Sequence, residues 1–246
     1  MTTDYDLIAA EYKRAKQQPW RMHLEYHTLF RLLGGLAGKS ALDVACGEGF
    51  YTRFLRRNGA ARAVGVDLSR GMIDLAEEEE RRQPLGVEYL QQDAAALDLG
   101  TRFDLVVAAY LLNYASDYAT LLRMCRAIAR HLPPGGRFVT VNNNPGHPRE
   151  RFGESRKYGF TKRADGPLEE GTPVAYVFHL DDGASVEITN YHLGVATHER
   201  ALREAGFGRI AWHAPMLAPG AAAGHPRGYW DEFLQHPPVV FLECTR

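Results

Sequence analysis

Between residues 41 and 142, five short apolar runs alternate with helical stretches, and that alternation leaves the chain few architectures to choose from. The runs are "ALDVAC" (41–46), "RAVGVD" (62–67), "VEYLQQD" (87–93), "FDLVVAAY" (103–110) and "RFVTVN" (137–142). Between them lie "GFYTRFLRRNGA", a segment for which Ser69 is the expected N-cap, and a segment from about Asp117 to Leu132 that "PPGG" stops. Strands alternating with helices of roughly 10–15 residues predict βαβ units and a parallel sheet. The near-continuous apolar character of 41–46 and 104–109 fits strands covered on both faces.

After residue 145 the pattern changes. "TPVAYVFHL" (172–180) and "SVEITNYHL" (185–193), joined by "DDGA", predict a β-hairpin around an Asp-Gly turn. A helix ("ATHERALREAGF"), a strand ("RIAWHA"), an Ala/Gly/Pro-rich loop (217–228), a short helix ("YWDEFL") and a last strand ("PVVFLECT") follow. The expectation is one domain, 1–246, with N-terminal lid helices over 1–36 and a substrate-side insertion over 146–193.

Composition removes several function classes. The 29 Lys and Arg nearly balance the 30 Asp and Glu, for a formal net charge of −1. Without a basic stripe, nucleic acid is not an expected partner. No apolar run approaches the ~20 residues that span a bilayer. The charged start "MTTDYDLIAAEYKRAK" lacks the apolar core of a signal peptide, so a cytoplasmic location is expected. Cys46, Cys125 and Cys244 form no C-x-x-C pair. Cys125 falls with Leu121, Ile128 and Leu132 at helical spacing, which makes it a core residue. The histidines show no metal-ligand spacing, and no metal is expected.

The chemistry gathers at the strand ends. In an open α/β sheet, ligands bind outside the carboxyl ends of the strands, where strand order reverses. The first strand ends in "DVACGEGFYT", where Gly47 and Gly49 permit a tight turn and close approach of a ligand to the backbone. A dinucleotide loop needs a third glycine, and that position is Thr52. The set is more informative than the loop alone: Asp43 inside the strand, the two glycines, and Asp67 closing the next strand about 20 residues on, where an acid can accept both hydroxyls of a ribose. Asp93 closes the third strand. For Asp43 the structural alternative is an acid that pins the turn, and for Asp67 a carboxylate at a helix N-terminus.

These segments resemble the class I S-adenosylmethionine (SAM) methyltransferases. "LDVACGEGFYT", "GVDLSRGMIDLA", "LQQDA", "FDLVVAAYLLNY" and "LPPGGRF" stand in that family's order and spacing. The resemblance implies a Rossmann-like, seven-stranded, mostly parallel sheet with an antiparallel last strand, and SAM as cofactor. It puts the methionine end of SAM on the Gly47–Gly49 loop, with Asp43 near its amino group and Ala45 alongside. It puts the ribose on Asp67, with Leu68 beside it. Adenine falls beside Met72, whose alternative role is core packing, and near Asp93 and Ala94; Ala109 closes this cofactor set. The stretches "YDLIAAEYKRAKQQPWR" and "LAGKSALDVACGEGFYTRFL" resemble more closely the toxoflavin synthase type of small-molecule N-methyltransferase. That likeness implies a flat, nitrogen-rich azapteridine as acceptor.

The acceptor side has its own candidates. Tyr5, Ile8 and Tyr12 fall on one face of a predicted N-terminal helix. There a tyrosine pair is suited to cover the sulfonium and the acceptor ring through cation–π attraction. Trp20 is assigned to the acceptor, and Arg21 to a carboxylate of the cofactor. The triplet Asn142, Asn143 and Asn144 supplies donors and acceptors without charge, as a neutral heterocycle requires. Strand alternation separates Asn142 and Asn144 from Asn143, and Asn142 or Asn144, with Tyr110 and Asn113, is taken to hold the acceptor; the alternative is that the triplet only forms a loop. Tyr158, Phe160, Tyr191 and Trp212 are aromatics suited to stacking. His192 and His147 are the candidates for a general base, neither of them assigned.

Three functions compete on these grounds: a small-molecule methyltransferase, a macromolecule (tRNA or protein) methyltransferase, and a non-catalytic SAM-binding or NAD-binding module. Within the first, C-methylation of an indole-like natural product is the alternative to N-methylation of an azapteridine.

Overall fold

The computed structural model describes residues 18–246. Its strands in chain order are β1 (Ser40–Val44), β2 (Arg62–Asp67), β3 (Glu88–Gln91), β4 (Leu105–Ala109), β5 (Arg137–Asn143), β6 (Phe160–Arg163), β7 (Pro173–His179), β8 (Ser185–Tyr191), β9 (Arg209–His213) and β10 (Val239–Thr245). Seven of them form one sheet in the order β3-β2-β1-β4-β5-β10-β9. Strands β1 to β5 pair in parallel, and β10 is antiparallel to both β5 and β9. This is the expected Rossmann-like sheet with its antiparallel last strand.

The helices are α1 (His27–Leu33), α2 (Phe50–Arg57), α3 (Arg70–Arg82), α4 (Tyr118–Arg130), α5 (Val195–Glu204) and α6 (Asp231–Gln235), with a π-helical turn, Arg21–Tyr26, leading into α1. Two of their starts follow from single side chains. The Ser69 hydroxyl accepts the Met72 N–H at 3.1 Å, and the Asp117 carboxylate accepts the Thr120 N–H at 2.7 Å. Each satisfies a backbone donor that the first turn leaves without a partner.

Alternation along the strands divides the core in two. Ala41, Leu105, Val107, Val139, Val141 and Phe241 pack with the N-terminal helical segment, α2 and the second sheet. Leu42, Val64, Val106, Ala108, Phe138 and Leu242 pack with α4 and α5. Cys125 lies in that second core with Leu121, Ile128 and Leu132, as helical spacing predicts, and all three cysteines are free and buried.

The insertion is larger than a hairpin. Strand β6 adds to β7 and β8, making a three-stranded antiparallel sheet in the order β6-β7-β8. Its inward face carries Phe160, Lys162, Val174, Tyr176, Phe178, Val186, Ile188 and Asn190, each buried at every second position. Six of these eight residues make an ordinary hydrophobic face. The other two, Lys162 and Asn190, are polar. No helix among the described residues is long and apolar enough to cross a membrane.

Candidate functional site

The chain runs from β1 outward through β2 and β3, then returns to build β4 and β5 on the other side of β1. Strand order therefore reverses between β1 and β4, and a crevice opens at their carboxyl ends. Register sets Asp43 opposite Val107, and two residues further along each strand come Ala45 and Ala109. Ala45 and Tyr110 are the two non-glycine residues with positive φ among those described, both at 61°. Such backbone strain collects at ligand sites, where the surroundings fix it.

The β1–α2 loop turns by repeated left-handed residues: Ala45, then Gly47 (φ 55°), then Gly49 (φ 82°). A Cβ at Gly49 would run into the ring and hydroxyl of Tyr89, so this position needs glycine for space as well as for φ. Asp43 is fully buried below the loop and accepts the Thr52 hydroxyl at 2.7 Å. Asp67 holds the loop from the side. Its Oδ2 accepts the Gly47 N–H at 2.8 Å, and its Oδ1 the Ser69 N–H at 2.9 Å. The group is half-buried at the end of β2, beside the loop. Leu68 beside it is 61% exposed, an apolar side chain open to a base.

Met72 does not fit its expected place. At 2% exposed it packs into the core under α3, and offers adenine no open face. Asp93 is exposed, with its Oδ1 accepting the Ala95 N–H at 2.9 Å, and Ala94 is half-buried next to it. The strained backbone, the half-buried acid at the strand end and the open leucine together fit a nucleoside joined to an amino acid, which is what SAM is.

A second cluster joins this loop to the acceptor side. Glu25 is fully buried, and its carboxylate accepts hydrogen bonds from the hydroxyls of Tyr51 on α2 and Tyr110 at the end of β4. Arg21 Nη1 donates to both Glu25 oxygens, at 2.9 and 3.1 Å. The guanidinium lies over the rings of Trp20, Tyr110 and Phe178, 4.9, 5.4 and 5.6 Å from their centroids. Burial, and after it the Glu25 charge, holds the Tyr51 and Tyr110 phenols well above the ordinary tyrosine range, so both are donors. Arg21, expected to meet a cofactor carboxylate, thus has a carboxylate of the protein. Sequence reasoning missed Glu25 because nothing in "RMHLEY" separates it from a solvated charge.

Beyond this cluster lies a cavity whose walls include Trp20, Tyr110, Asn113, Asn143, Tyr176 and Phe178. Trp20, Tyr110 and Asn113, expected on the acceptor side, line this space together with Phe160. The asparagines require a correction. Asn143 faces the cavity, since it shares a strand face with Val139 and Val141. Asn142 is buried on the opposite face, its amide donating to the Thr140 hydroxyl at 3.1 Å. Asn144 closes the turn after β5, donating to the Pro237 carbonyl and accepting the Gly146 N–H, and it reaches only an adjoining cavity.

That adjoining cavity shares Asn113, Asn143 and Tyr176 with the first and brings in Tyr191, His147, His192 and Lys162. Burial, with the Lys162 charge next, pushes the His147 imidazole down to about 3, which makes it a weak base. His192 is half-buried and also pushed down by burial. Tyr158 stands apart, stacked on Trp230 at 5.4 Å, and Trp212 packs beside His198. Tyr5, Ile8 and Tyr12 lie outside the described residues. No cluster that could hold a metal occurs among the described residues.

Comparison with known proteins agrees with this geometry. A family model described as a methyltransferase domain matches residues 41–136, which span β1 to the turn before β5. The ubiquinone biosynthesis O-methyltransferase of Coxiella burnetii is 36% identical over 112 residues, 44% of this chain and 46% of that protein. The chain thus spans about half the length of that curated relative. The N-demethylindolmycin N-methyltransferase of Streptomyces griseus is 28% identical over 236 residues, covering 92% of this chain and 97% of its own. A SAM-dependent methyltransferase from Mesorhizobium loti has a similar structure, with a TM-score of 0.65 at 21% identity over 90% of this chain and 97% of that one. The fold and the domain match are those of SAM-dependent methyltransferase enzymes, and SAM is the cofactor of that fold.

Proposed function

We propose that this chain transfers a methyl group from SAM to a ring nitrogen of a small, flat heterocycle of the azapteridine kind, in natural-product biosynthesis in the cytoplasm. The observation that carries the proposal is the lining of the cavity beyond the strand ends, walled by aromatic rings and amides. Trp20, Tyr110, Tyr176 and Phe178 offer flat faces, and Asn113 and Asn143 offer donors and acceptors without charge. The full-length likeness to an N-methyltransferase of a small natural product supports the same class.

SAM, when bound, supplies an electrophilic methyl whose bonding pair stays on the departing sulfur. The task left to the protein is to orient the acceptor, exclude water and set the field. In this reading Asp67 and the Gly47–Gly49 backbone hold the donor. Tyr110, held at positive φ by its bond to Glu25, and Asn113 place the acceptor at the strand ends. Cation–π attraction from the tyrosine faces favours the positive sulfur.

The test is incubation with SAM carrying a deuterated methyl group and a panel of demethylated azapteridines, indoles, small acids and bulk tRNA, with the label located by mass spectrometry. Label on an azapteridine ring nitrogen is expected. Label on an indole carbon would keep the reaction and overturn the substrate, and label on tRNA alone would overturn the small-molecule class.

A further inference from the structure

Lys162 projects from the inward face of β6, where alternation calls for an apolar side chain, and is 6% exposed. Its Nζ donates to the Pro238 carbonyl at 2.8 Å and lies 3.2 Å from His147 Nδ1. The rings of Tyr176 and Phe152 flank it, 4.9 and 5.3 Å from Nζ. Among the described residues no carboxylate pairs with it. A buried ammonium with no anion costs several kcal/mol, so its persistence here asks for a reason.

The surroundings supply one. Lys162 lines the adjoining cavity that shares Asn113, Asn143 and Tyr176 with the acceptor cavity. Two of those residues carry buried polar atoms without a hydrogen-bond partner, the Tyr176 hydroxyl and Asn113 Oδ1. Asn113 Nδ2 is already committed to Asn190 Oδ1 at 2.6 Å. A lysine, a hydroxyl and an amide oxygen thus face one space with unused hydrogen-bonding capacity, and such groups normally have partners.

We propose that this cavity receives an ionisable N–H or O–H of the acceptor, of the imide, amidine or enol type, and that Lys162 Nζ takes its proton. The acceptor's X–H bond breaks, its electron pair stays on X, and the proton bonds to the lone pair of Nζ. The pair on X then makes the bond to the transferred methyl, and Nζ later returns the proton to solvent. Two N–H bonds of a neutral Lys162 are occupied by Pro238 and His147, which leaves its lone pair for this step. The proposal rests on the methyltransferase reading above and adds to it the acidity of the acceptor and the residue that meets it.

The groups around Nζ agree. Burial holds the Lys162 amine well below the ordinary lysine range, and the Tyr176 phenol well above the ordinary tyrosine range. His147 is a neutral imidazole at pH 7, and burial also lowers His192 and His198, which line the same cavity.

The test uses the full chain, Lys162→Met and Lys162→Arg. Calorimetric titration with S-adenosylhomocysteine comes first, and equal affinity in all three is expected. Failure of the wild type to bind it would sink the methyltransferase reading itself and is thereby distinct from failure at Lys162. Labelled methyl transfer is then followed to a demethylated azapteridine bearing a ring N–H, to other N–H and O–H acids, and to heterocycles with no ionisable proton. The wild type should label the acids. Lys162→Met should lower kcat/KM about 10²- to 10⁴-fold, the usual contribution of a general base. Its rate should recover as pH rises toward the acceptor's own pKa. Lys162→Arg, always charged, should be as slow. A wild-type rate in Lys162→Arg would make the residue an anion-binding group instead. A wild-type rate in Lys162→Met, label confined to acceptors without an ionisable proton, or no label on any of the panel would each overturn the proposal.

Discussion

Asp67 shows how much one side chain can organise. Its oxygens take the Gly47 and Ser69 N–H groups, so it shapes the loop and starts the next helix before any ligand arrives. Replacing it with Ala should weaken SAM binding about 10- to 100-fold, the loss of a charge-assisted hydrogen bond worth roughly 1.5–3 kcal/mol. Calorimetry with SAM checks this, and unchanged affinity would remove the ribose from Asp67. Residues of this kind are legible in sequence because their chemistry is tied to backbone geometry: an acid at a strand end, and glycines where φ turns positive. Met72 illustrates what is not legible. Its helix is visible from the Ser69 cap and the spacing, but which flank of that helix the core covers depends on neighbours remote in the chain. Glu25 is the opposite case, a charge that looks solvated in sequence and becomes the buried hub of four side chains only when β4 and α2 close around it.

At the scale of the element, β6 decides most. "FTKR" is short and polar at three of its four positions, so no alternation announces a strand, and only pairing with β7 makes it one. That pairing sets Lys162 opposite Tyr176 and turns it inward. The asparagine triplet has the same lesson in reverse: its alternation was readable, but not which phase faces the cavity, because that is fixed by Val139 and Val141 packing under the second sheet. The inward lysine has a consequence for stability. Its folded amine sits below the ordinary value near 10.5, so above that pH neither state holds the proton and the lysine costs little. As pH falls below it, the unfolded chain takes up a proton that the folded chain refuses, and stability declines. The Tm of Lys162→Met relative to wild type should therefore rise between pH 10 and pH 7. Each unit by which the folded amine is depressed contributes about 1.4 kcal/mol, or roughly 3–5 °C. His147 does not confuse this window, since its imidazole, lowered to about 3, is neutral throughout it. A constant difference in Tm across the window would mean that Lys162 keeps its proton in the folded chain.

For the whole molecule, the sheet order followed from the alternation of strands and helices, and its placement of the crevice between β1 and β4 followed with it. What ties the two sides of that crevice did not. Glu25 links the N-terminal helical segment to α2 and to the end of β4 through Tyr51, Tyr110 and Arg21. Replacing it by Gln removes the buried charge that Arg21, Tyr51 and Tyr110 share, a loss of about 3–5 kcal/mol and on the order of 10 °C in Tm. Thermal melting checks this, and a shift within 2 °C would show that the network holds ligands rather than the fold. The second sheet packs its apolar face into the same core and adds polar ties such as Asn113 to Asn190 and Lys162 to Pro238. It is encoded in one uninterrupted stretch, after the residues that the methyltransferase domain model matches. In evolutionary terms that stretch is a cassette. Selection can rewrite the wall that meets the acceptor, lysine included, while the loop that meets the donor is inherited unchanged.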